Sequence, residues 1–287
     1  MKINHLFLIL LIMIMYGSSY PIGKIGTKLI PPLLMGSLRV LCLFILILPF
    51  FKFKIPKKNR FTLLFFSIVM GFGVYSTLYL AIDLSSLVSP IIIGTQLTVP
   101  FGLIFSLFIL NEKISSKKWL LIISAFMGII VVAYDPRLGE DFSGLIAIII
   151  MAFFYALANV LSRLLKNIDT ITQLGWHCII GFFLLIISSC LFEGNPVKNL
   201  SPINYSVIII VIHAALFVSL IGHGGLFYLY KYYSVSTLLP FYSLFPIFGI
   251  VLTFIIFFEI PGIFEIVGGI IVVGSVYLIH LENKKKI

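Results

Sequence analysis

Few residues in this chain carry polar chemistry, and their positions are informative. Arg39 stands seven residues into an apolar run that opens on Pro31 and Pro32. At about 1.5 Å per residue that is roughly 10 Å from the end of a helix, too deep for a loop charge. A guanidinium there can pair with the carboxylate of a solute, or it can snorkel back to the interface along its aliphatic stem. Tyr16, Ser19 and Tyr20 follow i, i+3, i+4 spacing. Tyr75 and Tyr79, and likewise Tyr155 and Asn159, are four apart, so each set shares one face of a helix. Polar groups against lipid are costly, so these faces point inward. There they either wall a solute pocket or bond helix to helix.

Two prolines add a backbone contribution. Pro100 and Pro246 fall mid-run, four residues after Gln96 and Tyr242. A proline has no N–H, which predicts free carbonyls at Gln96 and Tyr242 beside polar side chains, facing a cavity or merely kinking the helix. Glu112 and Glu259 stand at matching turns, where a carboxylate ahead of a helix acts as a structural cap. His223, within Gly222-His223-Gly224-Gly225, joins the candidate binding residues, and His177 and His213 lie in neighbouring runs. These histidines can relay protons or serve packing. No acidic residue falls near the centre of a run, which disfavours a carboxylate-based proton antiporter. Cys42, Cys178 and Cys190 lack metal-site or disulfide spacing and read as packing residues. No metal or cofactor is expected.

These residues sit in an unusually apolar frame. Of 287 residues, 61% are hydrophobic and 10% charged, too little polar surface to cover a soluble globule, so the lipid bilayer must cover it. Ten apolar runs can be marked, at 6–23, 32–51, 61–82, 87–110, 119–134, 144–165, 171–192, 205–230, 238–258 and 263–279. The fold class expected is an all-α membrane protein of ten transmembrane helices. The first run has no small-residue cleavage pattern and is read as a retained helix, not a signal peptide. The net charge of +10 is a topology signal, not a nucleic-acid footprint. Fifteen Lys and Arg fall in segments on the N-terminal side, among them Lys113, Lys284, Lys285 and Lys286, against four on the other: Lys24, Lys28, Arg137 and Lys198. This bias places both termini in the cytoplasm. Oligomeric state stays open, and a monomer is compatible with the sequence.

The chain also repeats itself. Tyr16 and Lys24 recur as Tyr155 and Arg163 at an offset of 139; Gln96, Pro100 and Glu112 recur as Tyr242, Pro246 and Glu259 at 146 to 147. Two halves follow, residues 1–141 and 142–287. Five helices per half is an odd number, so the second half must be inverted, with a central cavity between the two. The fifth and tenth helices are expected to be short.

The Tyr16-Gly17 opening followed by Lys24, the Pro31-Pro32 start with Arg39 after it, and the Pro, Glu and Gly series closing each half resemble the EamA-type family of the drug/metabolite transporter superfamily. Tyr16 stands where that family usually has tryptophan. Within the family, residues 217–230 and 239–246 look most like O-acetylserine/cysteine exporters. The resemblance implies a secondary transporter of the plasma or inner membrane that exports amino acids or related neutral or zwitterionic metabolites by alternating access. The alternative is an exporter of drugs or lipophilic toxic compounds, though a cation in low dielectric wants a fixed counter-charge that no span supplies. A membrane enzyme would need a nucleophile–base pair or clustered metal ligands, and the sequence offers neither. A receptor has no use for matched mid-span prolines. The expectation is a transporter with a small-molecule substrate, not an enzyme.

Overall fold

A computed structural model describes residues 2–54, 57–112, 114–201 and 204–284. Lys113, Lys285 and Lys286 of the topology count lie outside the described residues. Among the described residues ten long helices run in chain order: α1 (Ile3–Thr27), α2 (Pro32–Phe50), α3 (Arg60–Leu84), α4 (Ser89–Leu110), α5 (Ser116–Ala133), α6 (Phe142–Leu164), α7 (Thr170–Phe192), α8 (Tyr205–Leu229), α9 (Val235–Phe257) and α10 (Ile263–Lys284). Among the described residues there is no strand, and α1 to α9 are each long and apolar enough to cross a membrane. In α10 the apolar part is shorter, Ile263–Ile279, although the helix itself runs 22 residues. Large apolar side chains such as Phe108 and Phe192 face outward, 73% and 81% exposed, as a lipid solvent requires.

The packing follows the repeat. Helix α1 lies against α9 and α8, and α6 lies correspondingly against α4 and α3; α2 packs on α7, and α5 on α10. A shift of five helices maps each pairing onto another or onto itself. Close approach depends on absent side chains. A Cβ at Gly17 would lie 2.7 Å from Phe248 Cβ and 2.8 Å from Gly249 N, and one at Gly128 would lie 2.9 Å from Gly268 O.

The irregular backbone repeats too. Helix α3 is π-helical over Val69–Val74 and α8 over His213–Gly224; α4 tightens to 3-10 over Thr95–Leu97 and α9 over Leu239–Leu244. Both α4 and α9 then resume through Pro100 and Pro246 and end on a left-handed residue, Asn111 (φ 54°) and Phe258 (φ 55°). The tight turns correct the expectation of free carbonyls. The Phe245 N–H bonds the Tyr242 carbonyl three residues back, a donor the tightened turn supplies where the proline cannot, and the Thr98 N–H is shared between the carbonyls of Thr95 and Gln96.

Asp169 and Asn204 cap α7 and α8 locally, but two other helix starts are capped from across the bundle. The Glu259 carboxylate accepts from Val88 N (2.9 Å) and Ser89 N (2.7 Å) at the start of α4, not from the helix that follows it in sequence. Glu193, at the end of α7, does the same for Leu33 N (2.6 Å) and Leu34 N (3.0 Å) at the start of α2. Glu112 differs: its Oε2 is buried with no hydrogen-bond partner among the described residues. Lys24 corrects another reading, since it is no loop charge: its ammonium is buried against the carbonyls of Ile82 (2.8 Å), Asp83 (3.2 Å) and Ser85 (2.6 Å) at the end of α3. Its repeat counterpart Arg163 donates to the Tyr230 carbonyl at the end of α8. Between the halves, Arg137 clamps Asp135 (2.9 Å) to Glu265 (2.8 Å) in the first turn of α10. The guanidinium holds the Asp135 carboxyl below its ordinary range through the hydrogen bond.

Candidate functional site

The repeats meet around a small cavity of about 30 Å³, room for a couple of water molecules. Seven of the sequence-predicted residues line it: Tyr16, Ser19 and Tyr20 from α1, Arg39 from α2, Tyr155 from α6, His223 from α8 and Tyr242 from α9. Each comes from an irregular or closely packed stretch. Gly17 seats α1 on α9, the π segment presents His223, and the 3-10 turn presents Tyr242.

Three phenols and an imidazole form one network. Tyr242 donates to Tyr155 (2.9 Å), Tyr155 donates to Tyr16 (2.7 Å), and both Tyr16 and Tyr155 lie 3.0 Å from His223 Nδ1. Across the ring, His223 Nε2 stands 3.4 Å from Arg39 Nη2. Arginine only donates, so a neutral ring that keeps its proton on Nδ1 turns an acceptor to Arg39 and a donor to the phenols. A doubly protonated ring would set N–H against N–H.

Arg39 is 1% exposed and therefore does not snorkel. Its Nε donates to Ser219 Oγ (2.8 Å) and its Nη1 to Tyr79 (3.4 Å), while the guanidinium lies 4.6 Å from the Tyr75 ring centre. Tyr75 and Tyr79 thus back Arg39 without reaching the cavity. Among the described residues no carboxylate pairs with Arg39. Placing an arginine inside a span costs about 2.5–3.5 kcal/mol or more, and here a serine, a phenol and an imidazole hold the guanidinium where a carboxylate would. The site is therefore a buried positive centre with donor-rich walls, suited to bind an anionic group. No side chain in it is an activated nucleophile or metal ligand, and among the described residues no cluster of three potential metal ligands occurs.

Gln96 and Asn159 fall outside the cavity. Both are 0% exposed, and both amide groups lack any partner among the described residues. His177 packs in α7 with Nδ1 3.3 Å from the Gln173 carbonyl, and His213 lies 3.1 Å from Ser18 Oγ; neither reaches the cavity. Sequence reasoning missed Thr95, Thr98, Ser219 and Phe245. Thr95, Thr98 and Phe245 line the cavity, Phe245 stacking on Tyr20 with ring centres 5.9 Å apart. Their nearness to Gln96, Pro100 and Tyr242 was the available signal; Ser219 gave none.

Comparison with known proteins agrees with this architecture. The model of the EamA-like transporter family matches residues 4–134 and again 142–281. The probable amino-acid metabolite efflux pump of Salmonella typhimurium is 24% identical over 85% of this chain and 84% of its own. An uncharacterized transporter of Bacillus subtilis, YoaV, is 28% identical over 66% of this chain and 67% of its own. A solved crystal structure shares the fold, with a TM-score of 0.70 over 97% of both chains at 19% identity.

Proposed function

The chain belongs to the EamA-like transporter family, a multi-pass membrane transporter, and from that we propose that it exports a small zwitterionic amino acid or close relative by alternating access. The observation that carries this reading is Arg39, buried beside the cavity with no carboxylate among the described residues to pair with it. A solute carboxylate would supply the missing charge, in the low dielectric where that pairing is strongest. The phenol oxygens of Tyr16, Tyr155 and Tyr242, with the face of Tyr20, would receive the ammonium group through hydrogen bonds and cation–π attraction.

The cavity is too small for such a solute, so the helices around it must part for binding. In this proposal all ten helices span the bilayer, the halves are inverted about an axis near Tyr16 and Tyr155, and both termini are cytoplasmic. The movement is then a rocking of one repeat against the other. The test is flux: purified protein in liposomes loaded with radiolabelled amino acids, compared with Arg39→Ala. Export of at least one amino acid that Arg39→Ala loses is the expected result. Export of lipophilic dyes and of no amino acid would favour the drug-exporter reading and overturn this one.

A further inference from the structure

The two repeats carry the same stripe of side chains in opposite directions. On α1 it reads Tyr16, Tyr20, Lys24; on α6 it reads Tyr155, Asn159, Arg163, each pair 139 apart and each stripe stepping by four along one helix face. Contacts fix which way each runs. Lys2 N and His5 Nδ1 bond the Tyr233 hydroxyl just past α8, and Arg163 bonds the Tyr230 carbonyl, so the start of α1 and the ends of α6 and α8 share one face. Lys24 bonds the end of α3 on the opposite face. From the Tyr16–Tyr155 contact, the α1 stripe leads away from the N-terminal face and the α6 stripe leads toward it.

The cavity extends along one stripe only. Tyr16 and Tyr20 line the cavity, and along α6 the lining ends at Tyr155. One turn further, Asn159 is 0% exposed and Tyr230, at the same end, is 0% exposed; among the described residues neither the Asn159 amide atoms nor the Tyr230 hydroxyl has a partner. An unpaired buried amide or hydroxyl costs about 1–3 kcal/mol, a burden native interiors seldom carry. On the same face the segment Val235–Leu238, with Val235 and Leu238 fully buried, packs against α6, and the rings of His5, Tyr232 and Tyr233 cluster.

We propose that Asn159 and Tyr230 line a second vestibule, on the N-terminal face, which is closed in this conformation and becomes the solute's path in the other. Asn159 then takes the position that Tyr20 holds now, since inverted repeats exchange conformations when the open side switches. The groups without partners here find them there, in water and in the polar ends of the solute. The inference deepens the transport reading and rests on it, but names the far half of the route.

The test places single cysteines, N159C and Y230C, in a chain whose Cys42, Cys178 and Cys190 are serine and whose flux is intact. A membrane-impermeant methanethiosulfonate is applied to each face of sealed vesicles, with Y20C as the control for the opposite face. The expected result is reaction of N159C and Y230C from the N-terminal face alone, and of Y20C from the other alone. Asn159→Leu is expected to keep its melting temperature and lose about tenfold in flux, the weight of one lost hydrogen bond to the solute. Cysteines unreactive from both faces while Y20C reacts, or full flux in a folded Asn159→Leu, overturn the proposal. If the leucine variant does not fold, the labelling decides alone. Labelling needs no solute, so a chain that exports no amino acid removes the Arg39 reading and leaves this one standing; unreactive cysteines with Arg39-dependent flux do the reverse.

Discussion

The hydroxyl of Tyr155 donates to the hydroxyl of Tyr16 at 2.7 Å, and these two residues, 139 apart, are the same position in the two repeats. Equivalent atoms that touch must lie beside the axis relating the halves. The repeat axis and the lining of the cavity therefore meet at this pair, whose bond joins the halves alongside those of Arg39 to Ser219 and Glu259 to Val88.

Coupling across that bond is measurable. Tyr16→Phe and Tyr155→Phe each remove one hydroxyl, and the double variant is expected to cost less than the sum of the singles by about 0.5–3 kcal/mol. Melting of the detergent-solubilised protein gives the cycle; strict additivity would show that the bond carries no coupling.

Arg39 is expected to resist conservative replacement. Its Nε, Nη1 and Nη2 meet Ser219, Tyr79 and His223 in one plane, which a lysine ammonium cannot reproduce. Arg39→Lys is expected to retain under about a tenth of wild-type flux, a loss of at least ~1.4 kcal/mol. Wild-type flux in that variant would mean that charge alone suffices.

Backbone strain at one helix end offers a gain. Phe258 sits at φ 55°, where its counterpart Asn111 sits at φ 54°. An aromatic residue pays roughly 1–2 kcal/mol in the left-handed region, and asparagine pays less. Phe258→Asn is expected to raise stability by about 1 kcal/mol at unchanged flux. A lowered melting temperature would show that the ring, 78% exposed on the outer surface, anchors the helix in lipid by more than its strain costs.

Acid should uncouple the loop between the halves. Arg137 depresses the Asp135 carboxyl, so the contribution to stability is complete above the unfolded-chain value near 3.9 and fades as pH falls through the lower folded-state value. Wild type is then expected to exceed Asp135→Asn by about 1 kcal/mol at neutral pH, Arg137 being part-exposed, with the gap closing below about pH 4. Paired melting curves across that range decide it, and a gap constant down to pH 3 would exclude the ion pair as its source.

Much of this was legible in the sequence, and the residues show why. Hydropathy marks helices whatever their neighbours are, so the runs emerged with ends shifted by a few residues, as where α1 continues to Thr27 because Lys24 is buried and not in a loop. Repeat spacing paired Tyr16 with Tyr155 because offset survives divergence, and the structure brings that pair into contact. Backbone detours were not legible. The π turn carries His223 and Ser219 to Arg39, and no composition announces it. Nor was the partner of a cap: Glu259 looked local and instead serves α4, a contact 171 residues away in sequence.

The paired π turns have a mechanical consequence. A π turn holds one residue more than the α turn it replaces, so α3 and α8 each store slack without lengthening their ends. Releasing it winds everything downstream by about 100°, one residue's rotation at 3.6 per turn. On α3 the residues immediately downstream of the π turn are Tyr75 and Tyr79, the two rings behind Arg39. Tightening that turn to α would carry both rings off the guanidinium together with the Ile82 and Asp83 carbonyls that hold Lys24, so the wall of the site and the seat of Lys24 are wound on one length of helix.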